Sequence, residues 1–288
     1  MKLGITGASG FIGSRVAALA AERGWEVTVF TRHPSKPSMR RFSLDEPIDV
    51  HGLDAILHLA GEPVFGLWTA EKRRRIMDSR VLGTRRLVEG FARAEQPPRV
   101  LVSGSAIGFY GDTGDHEVDE SSPGGTGFLA EVTHAWEAEA RKTPGARVAL
   151  MRTGFVLGRD GGAMKVILPV FRAGLGGRLG SGRQWMSCIH VDDVARMALW
   201  AVEDETVAGP FNAVMPRPCT NAEFTKTVAR AVHRPAILPA PALALRIFLG
   251  GMSSLMLDSL KVRPGVALAR DYRYAFPQLD AALDNIAH

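Results

Sequence analysis

Gly7-Ala8-Ser9-Gly10-Phe11-Ile12-Gly13 follows directly on the short apolar run Lys2 to Thr6 and opens onto a helical stretch from Ser14 to Arg23. Gly24 stands where a left-handed residue would end that helix. Glu26-Val27-Thr28-Val29-Phe30 then alternates as a second strand. The three glycines therefore lie between a strand and a helix inside a βαβ unit, the one context in which a glycine-rich turn has a definite meaning.

That meaning is physical. Glycine at the turn adopts backbone angles that other residues resist. Gly10 lets the main chain approach a pyrophosphate, and Gly13 lets the helix pack on the sheet. The helix then offers free N–H groups and the positive end of its dipole to the phosphates. The spacing is G-x-x-G-x-x-G, and the expected ligand is a nicotinamide dinucleotide. A carboxylate at the end of the second strand would hold the ribose hydroxyls of NAD(H). This chain carries Thr31-Arg32-His33 there. A guanidinium at Arg32 suits a 2′-phosphate, so NADP(H) is expected over NAD(H).

Outward from this unit, strands are predicted at Asp54 to Leu59, Arg99 to Ser103 and Arg147 to Arg152. Helical patterns fill Thr69 to Ala94 and Phe128 to Arg141. Such alternation implies an α/β, Rossmann-type, doubly wound parallel sheet. Between Arg32 and Leu53 the chain is too short for a full helix and strand, so a reduced unit is expected. After Gly158 the texture changes. Glycines crowd Gly174 to Gly182, as a mobile lid or an ordinary loop. Cys188 to Val191 reads as a short strand, with Asp192 as the cap of a helix through Val202. Thr220 or Asn221 caps another helix through Val232. The expected division is a dinucleotide-binding domain over 1–158, to which 184–215 returns strands and a helix. A smaller, mainly helical substrate lobe is formed by 159–183 and 216–288.

With 288 residues, 46% apolar and 23% charged, the chain has the composition of an ordinary globular protein. Its formal charge of +5 is mild. The densest basic run, Lys72 to Arg75, falls in a helical pattern and reads as a solvated face rather than a nucleic-acid arm. Two cysteines, Cys188 and Cys219, exclude a disulfide framework or a zinc site, and no metal is expected. The most apolar stretch, Ala236 to Leu257, is broken by Pro239, Pro241, Arg246, Gly250 and Gly251. It reads as a packed or partner-facing helix, not a membrane span. No secretory leader is expected, nor nucleic-acid or membrane partners, and a cytoplasmic location is expected.

These motifs resemble the extended and atypical short-chain dehydrogenase/reductases, the NAD-dependent epimerase/dehydratase family. Gly7 to Gly13 resembles that family's T-G-x-x-G-x-x-G opening. Leu57-His58-Leu59-Ala60-Gly61 resembles its H-L-A-A/G segment, and Val81-Leu82-Gly83-Thr84 its V-x-G-T helix. Arg152 to Gly158 resembles R-x-x-x-V-x-G, and Ile189 to Ala195 resembles I-H-V-D-D-V-A. Ser79-Arg80-Val81, Trp136-Glu137 and the tail Pro264 to Leu283 resemble an epimerase-like subfamily with an added C-terminal helical segment. The resemblance implies cofactor contacts at Gly7, Ser9, Gly10, Phe11, Ile12, Gly13, Leu59, Ala60, Gly61, Glu62, Arg80, Ser103, Gly154, Phe155 and Val156, beside Arg32. By analogy it also implies a homodimer through Thr69 to Ala94 and Phe128 to Arg141.

The family's catalytic Tyr and Lys, four residues apart, are missing. The corresponding segment reads Phe128-Leu129-Ala130-Glu131-Val132-Thr133-His134-Ala135-Trp136-Glu137, and Arg80 stands where an Asn is usual. Ser105 is the candidate for the family's serine. Tyr110 is a candidate for the absent phenol or else a structural aromatic. Glu131 and His134 could relay protons or simply be solvated. Asp192 and Asp193 are not read as a catalytic pair. Arg152 either holds an anionic substrate or pins a loop. Two functions follow. One is hydride transfer by NADP(H) on an unidentified carbonyl, alcohol or nucleotide sugar. The other is a redox-responsive or scaffold protein that binds NADP(H) without turnover.

Overall fold

A computed structural model describes residues 1–288. The first half alternates as the apolar pattern requires. Strand β1 (Lys2–Thr6) leads through the glycine turn to helix α1 (Phe11–Glu22), then β2 (Glu26–Thr31) and the short β3 (Met39–Arg41). The segment between β2 and β4 (Ala55–His58) holds β3 and no helix, the reduced unit its length predicted. Helix α2 (Ala70–Arg93), β5 (Val100–Ala106), a 3-10 turn at Ile107–Tyr110, α3 (Phe128–Ala140) and β6 (Arg147–Thr153) follow. Then come β7 (Phe155–Leu157), α4 (Met164–Arg172), β8 (Trp185–Met186), β9 (Cys188–His190), α5 (Val191–Glu203) and β10 (Gly209–Ala213). The chain closes with β11 (Cys219–Thr220), α6 (Asn221–Ala231), α7 (Ala242–Leu249), α8 (Ser254–Leu257), α9 (Gly265–Ala269) and α10 (Leu279–Ala287).

Seven strands form one parallel sheet in the order β10-β6-β5-β4-β1-β2-β3. Its central strands β1, β4 and β5 are nearly continuous buried runs because both faces are covered, while β2 and β3 toward the edge are partly exposed. Side chains alternate between the faces. Leu3, Ile5, Leu57, Val102 and Met151 pack with α1 and α5. Ile56, Leu101 and Leu150 pack with Leu87 and Phe91 of α2 and Ala140 of α3. Each such side chain contributes about 1.5–3 kcal/mol by leaving water. β10 is an edge strand, which is where Pro210 can sit without breaking a ladder. The C-terminal region is mainly helical. A third cluster, with Leu157, Met164, Phe224, Val228 and Leu283, joins α4, α6 and α10.

Local corrections are instructive. Helix α1 begins at Phe11, not Ser14, with Gly10 at its cap position. Asp192 does not cap α5: the residue at that position is His190, whose Nδ1 accepts the Asp192 N–H at 3.1 Å. Asp192 instead pairs with Arg15 at 2.6 Å, while both Asp193 carboxylate oxygens accept N–H groups of Ala275 and Phe276. Of the two caps proposed for α6, Thr220 is the one present, in a reciprocal capping box with Glu223. The basic run at the start of α2 is not wholly solvated, since Lys72 is mostly covered and bonded to Glu62 at 2.7 Å. No helix is long and apolar enough to cross a membrane.

Candidate functional site

The chain leaves β1 toward β2 on one side and β4 on the other, so strand order reverses above the carboxyl end of β1. Parallel sheets form their ligand crevice at such a point. The glycine turn sits there. Gly7 has φ +72°, and a Cβ on it would meet Ala60 N at 2.9 Å. Gly10 N–H closes the turn on Gly7 O at 2.9 Å. A Cβ on Gly13 would strike that same carbonyl, so only glycine lets α1 start this close to β1. The N–H groups of Phe11, Ile12 and Gly13 precede the first helical hydrogen bond and face outward from the turn. The Phe11 ring packs against Gly158, Gly161 and Gly162, tying the turn to the start of the C-terminal region. Ser9 is exposed at the turn's crest.

The neighbouring segment is positioned by a buried chain of hydrogen bonds. Thr84 Oγ1 donates to Arg80 O at 2.6 Å, so it accepts from His58 Nε2 at 3.1 Å. His58 Nδ1 then accepts from Thr6 Oγ1 at 2.7 Å. The Thr6 oxygen in turn accepts the N–H groups of Leu59 and Ala60 at 3.0 and 3.1 Å. One end of this chain fixes Leu59 and Ala60 beside Gly7. The other is anchored in α2. Burial, with the nearby Arg80 charge, pushes His58 down to about 4, so the ring is neutral.

Arg80 approaches the same segment from α2. Its Nη1 donates to Glu62 O at 2.9 Å and Ile76 O at 3.2 Å, and the guanidinium stacks on Trp136 at 5.2 Å. Burial lowers it to about 10, and it stays charged at neutral pH. Glu62, at the crevice edge, is paired with Lys72 and lies within 3.6 Å of Arg75. The Lys72 hydrogen bond holds the Glu62 carboxyl below its usual range against burial, with Lys72, Arg75 and Arg32 adding charge. Arg75 also pairs with Glu71. Two carboxylates, Glu62 and Glu71, thus answer four cations, Lys72, Arg75, Arg80 and Arg32. Arg32, exposed just past β2, makes no ion pair.

Beyond β5 the side chains close a second network. Ser105 Oγ donates to Glu137 Oε1 at 2.7 Å. Arg152 holds both Glu137 oxygens at 2.8 and 2.9 Å. Arg152 Nη1 also donates to the Tyr110 hydroxyl at 2.9 Å, and that hydroxyl donates to Asn212 Oδ1 at 2.8 Å. All five residues are buried. Burial raises Tyr110 to about 12 despite Arg152. Arg152 therefore neither awaits an anionic ligand nor merely pins a loop: it joins β6 to α3. Ser103 is buried one turn of the pleat below Ser105. Gly154 N–H donates to Ala213 O and Phe155 N–H to Ser187 O, which sets Gly154, Phe155 and Val156 along the far wall. Glu131 is exposed, and His134 Nε2 lies 3.1 Å from Phe109 O. Sequence reading did not find Glu137 or Asn212 as partners; a buried carboxylate facing an arginine across two elements leaves no local pattern.

The Gly174–Gly182 segment is neither free lid nor plain loop. Leu238 N donates to Gly176 O, Ala240 N to Arg178 O and Gly180 N to Ala240 O, a short ladder that straps it to the chain before α7. No cluster of His, Cys, Asp or Glu is arranged to hold a metal ion.

Residues 3–213 match the NAD dependent epimerase/dehydratase family, and 240–286 match a domain of unknown function. The chain is 38% identical to the human epimerase family protein SDR39U1 over 296 residues, covering 99% of each. It is 31% identical to the Bacillus subtilis epimerase family protein YfhF, covering 99% of this chain and 98% of that one. Among solved structures, human SDR39U1 isoform 2 with NADPH superposes with a TM-score of 0.94 at 36% identity, covering 100% and 99%. A Corynebacterium glutamicum nucleoside-diphosphate sugar epimerase superposes at 0.83 and 32% identity, covering 100% of this chain and 58% of that one.

Proposed function

The chain belongs to the NAD-dependent epimerase/dehydratase family, and from that premise we propose that it binds NADP(H) and passes a hydride between the nicotinamide and a carbonyl or alcohol carbon. The observation that carries the cofactor assignment is the surplus of positive charge around Glu62, with Arg32 unpaired where NAD enzymes place a carboxylate. The relative solved with NADPH supports the same choice. The pyrophosphate lies on the N–H groups of Phe11 to Gly13, and the Leu59 to Glu62 segment, pinned by Thr6 and Arg80, lines the adenosine side. Ser103, Gly154, Phe155 and Val156 line the nicotinamide side.

Ser105 is the hydroxyl nearest the family's usual position. Its proton is committed to Glu137, and its oxygen is free to accept from a substrate alcohol. Tyr110 both donates and accepts inside the network, and its pKa is far above neutrality. Proton exchange with the substrate oxygen therefore runs through crevice water rather than this phenol. The engagement of both hydroxyls also favours a second reading, an NADP(H)-binding protein without turnover.

Two experiments divide these. Arg32→Asp should weaken NADPH by about 2 kcal/mol, roughly thirtyfold in Kd, and leave NADH little changed. Equal loss of both refutes the 2′-phosphate contact. Incubation of the NADPH-loaded protein with carbonyls, and of the NADP+-loaded protein with alcohols and nucleotide sugars, follows. A reductase releases oxidised cofactor, an epimerase returns it unchanged with product formed, and no conversion selects the binding-only reading.

A further inference from the structure

Most of the large apolar side chains left in water lie on three segments, among them Leu67 on the loop before α2, Leu175 on the glycine-rich segment, and Ile237, Leu243, Ile247 and Phe248 on and before α7; α4 exposes two more, Val166 and Val170. Phe248 is 76% exposed, and no residue of α7 is buried. The three segments form one surface. The glycine-rich segment is laddered to 238–240, and Gly66 N–H reaches Met252 Sδ, just past α7, at 3.1 Å. A soluble monomer rarely leaves such a patch without a partner.

Charge identifies the partner. Residues 63–70 carry no charged side chain, 173–185 carry only Arg178 and Arg183, and 234–257 carry only Arg234 and Arg246. All four arginines are exposed. Ile237 also forms the lip of a groove of about 410 Å³, lined by Ala236 and Pro239 and by two cations, Arg178 and Lys226. Arg246 has the Asp258 carboxylate near it, but Arg178, Arg183 and Lys226 make no ion pair; a second copy of this surface would bring these cations face to face, and an uncharged partner would leave them without a counter-charge. We propose that this face docks on an anionic lipid surface. Helix α7 lies in the interface plane with Leu243, Ile247 and Phe248 among the acyl chains, the arginines lie at headgroup depth, and the Arg178–Lys226 groove receives a lipid phosphate. The sequence reading of this stretch was packed or partner-facing helix; the proposal takes the second alternative and departs from the expectation of no membrane partner.

The test is co-sedimentation of the full chain with phosphatidylcholine vesicles, with and without phosphatidylglycerol. The wild type is expected to pellet with the anionic vesicles only, and less as salt rises. Ile247→Asp with Phe248→Asp should cut the bound fraction at least tenfold with an unchanged thermal melt, since both side chains are already in water. Arg178→Glu with Lys226→Glu should abolish the preference for anionic lipid. Wild type remaining in the supernatant with both vesicles overturns the proposal. So does a concentration-dependent dimer in gel filtration that the Ile247→Asp, Phe248→Asp protein no longer forms, which would assign the face to a second copy.

Discussion

His58 shows how one residue can set a site without touching a ligand. Its ring is fully buried and bonded at both nitrogens to threonines, and its folded pKa of about 4 lies below the value of 6.5 for a free side chain. Between these values the unfolded chain binds a proton that the native state does not. Stability is therefore complete above pH 6.5 and is lost as pH falls toward 4, by on the order of 3 kcal/mol from this group. Thermal melts from pH 7 to pH 4.5 should fall for the wild type and fall less steeply for His58→Gln; parallel curves would show that another group dominates. The histidine and threonines of this chain were visible in sequence as parts of three motifs, yet their union was not, because Thr6 and His58 are 52 residues apart. The same distance problem hid the partners of Ser105 and Tyr110. Glu137 is 32 residues from Ser105, and Asn212 is 102 from Tyr110.

At the scale of elements, two junctions hold the site. The first is the approach of α1 to β1. Gly13→Ala would push a methyl into the Gly7 carbonyl, displacing the N–H groups proposed to bind the pyrophosphate. A stability loss of about 1–3 kcal/mol is expected, with NADPH affinity falling further than stability does. Titration and melting of the same sample separate the two, and unchanged NADPH affinity would remove the turn from the site. The second junction is the Glu137–Arg152 pair between α3 and β6. Glu137→Gln leaves a buried guanidinium without a counter-charge and should cost about 3–5 kcal/mol. Glu137→Met with Arg152→Met should cost less than the single change, as chemical denaturation would show. Strand β2 was legible from its alternation, β1 and β4 from short unbroken apolar runs, and α2 and α3 from their helical pattern. β10 was not singled out, since Gly209 and Pro210 disguise an edge strand. The cap of α5 was misplaced because an aspartate before a helix is the commoner cap, and here a histidine's free nitrogen does the work.

For the whole molecule, the parallel sheet and its crevice followed from a seven-residue turn and the alternation around it, and β9, α5 and α6 were also read, whereas the chain beyond α6 was read only as mainly helical. Its helices are short, and their apolar faces point both into the third core cluster and into water, so periodicity does not distinguish core from surface. The fold presents two surfaces of different origin: a crevice at the glycine turn, where the first N–H groups of α1 are free of helical partners, and an apolar face carrying exposed arginines. The crevice is the surface on which the proposed NADP(H) binding stands. Calorimetric titration of the purified, folded chain with NADPH, NADP+, NADH and NAD+ tests it most directly. The 2′-phosphorylated forms should bind at least tenfold more tightly than the others in the wild type. Absence of heat and of thermal protection with all four would contradict the claim.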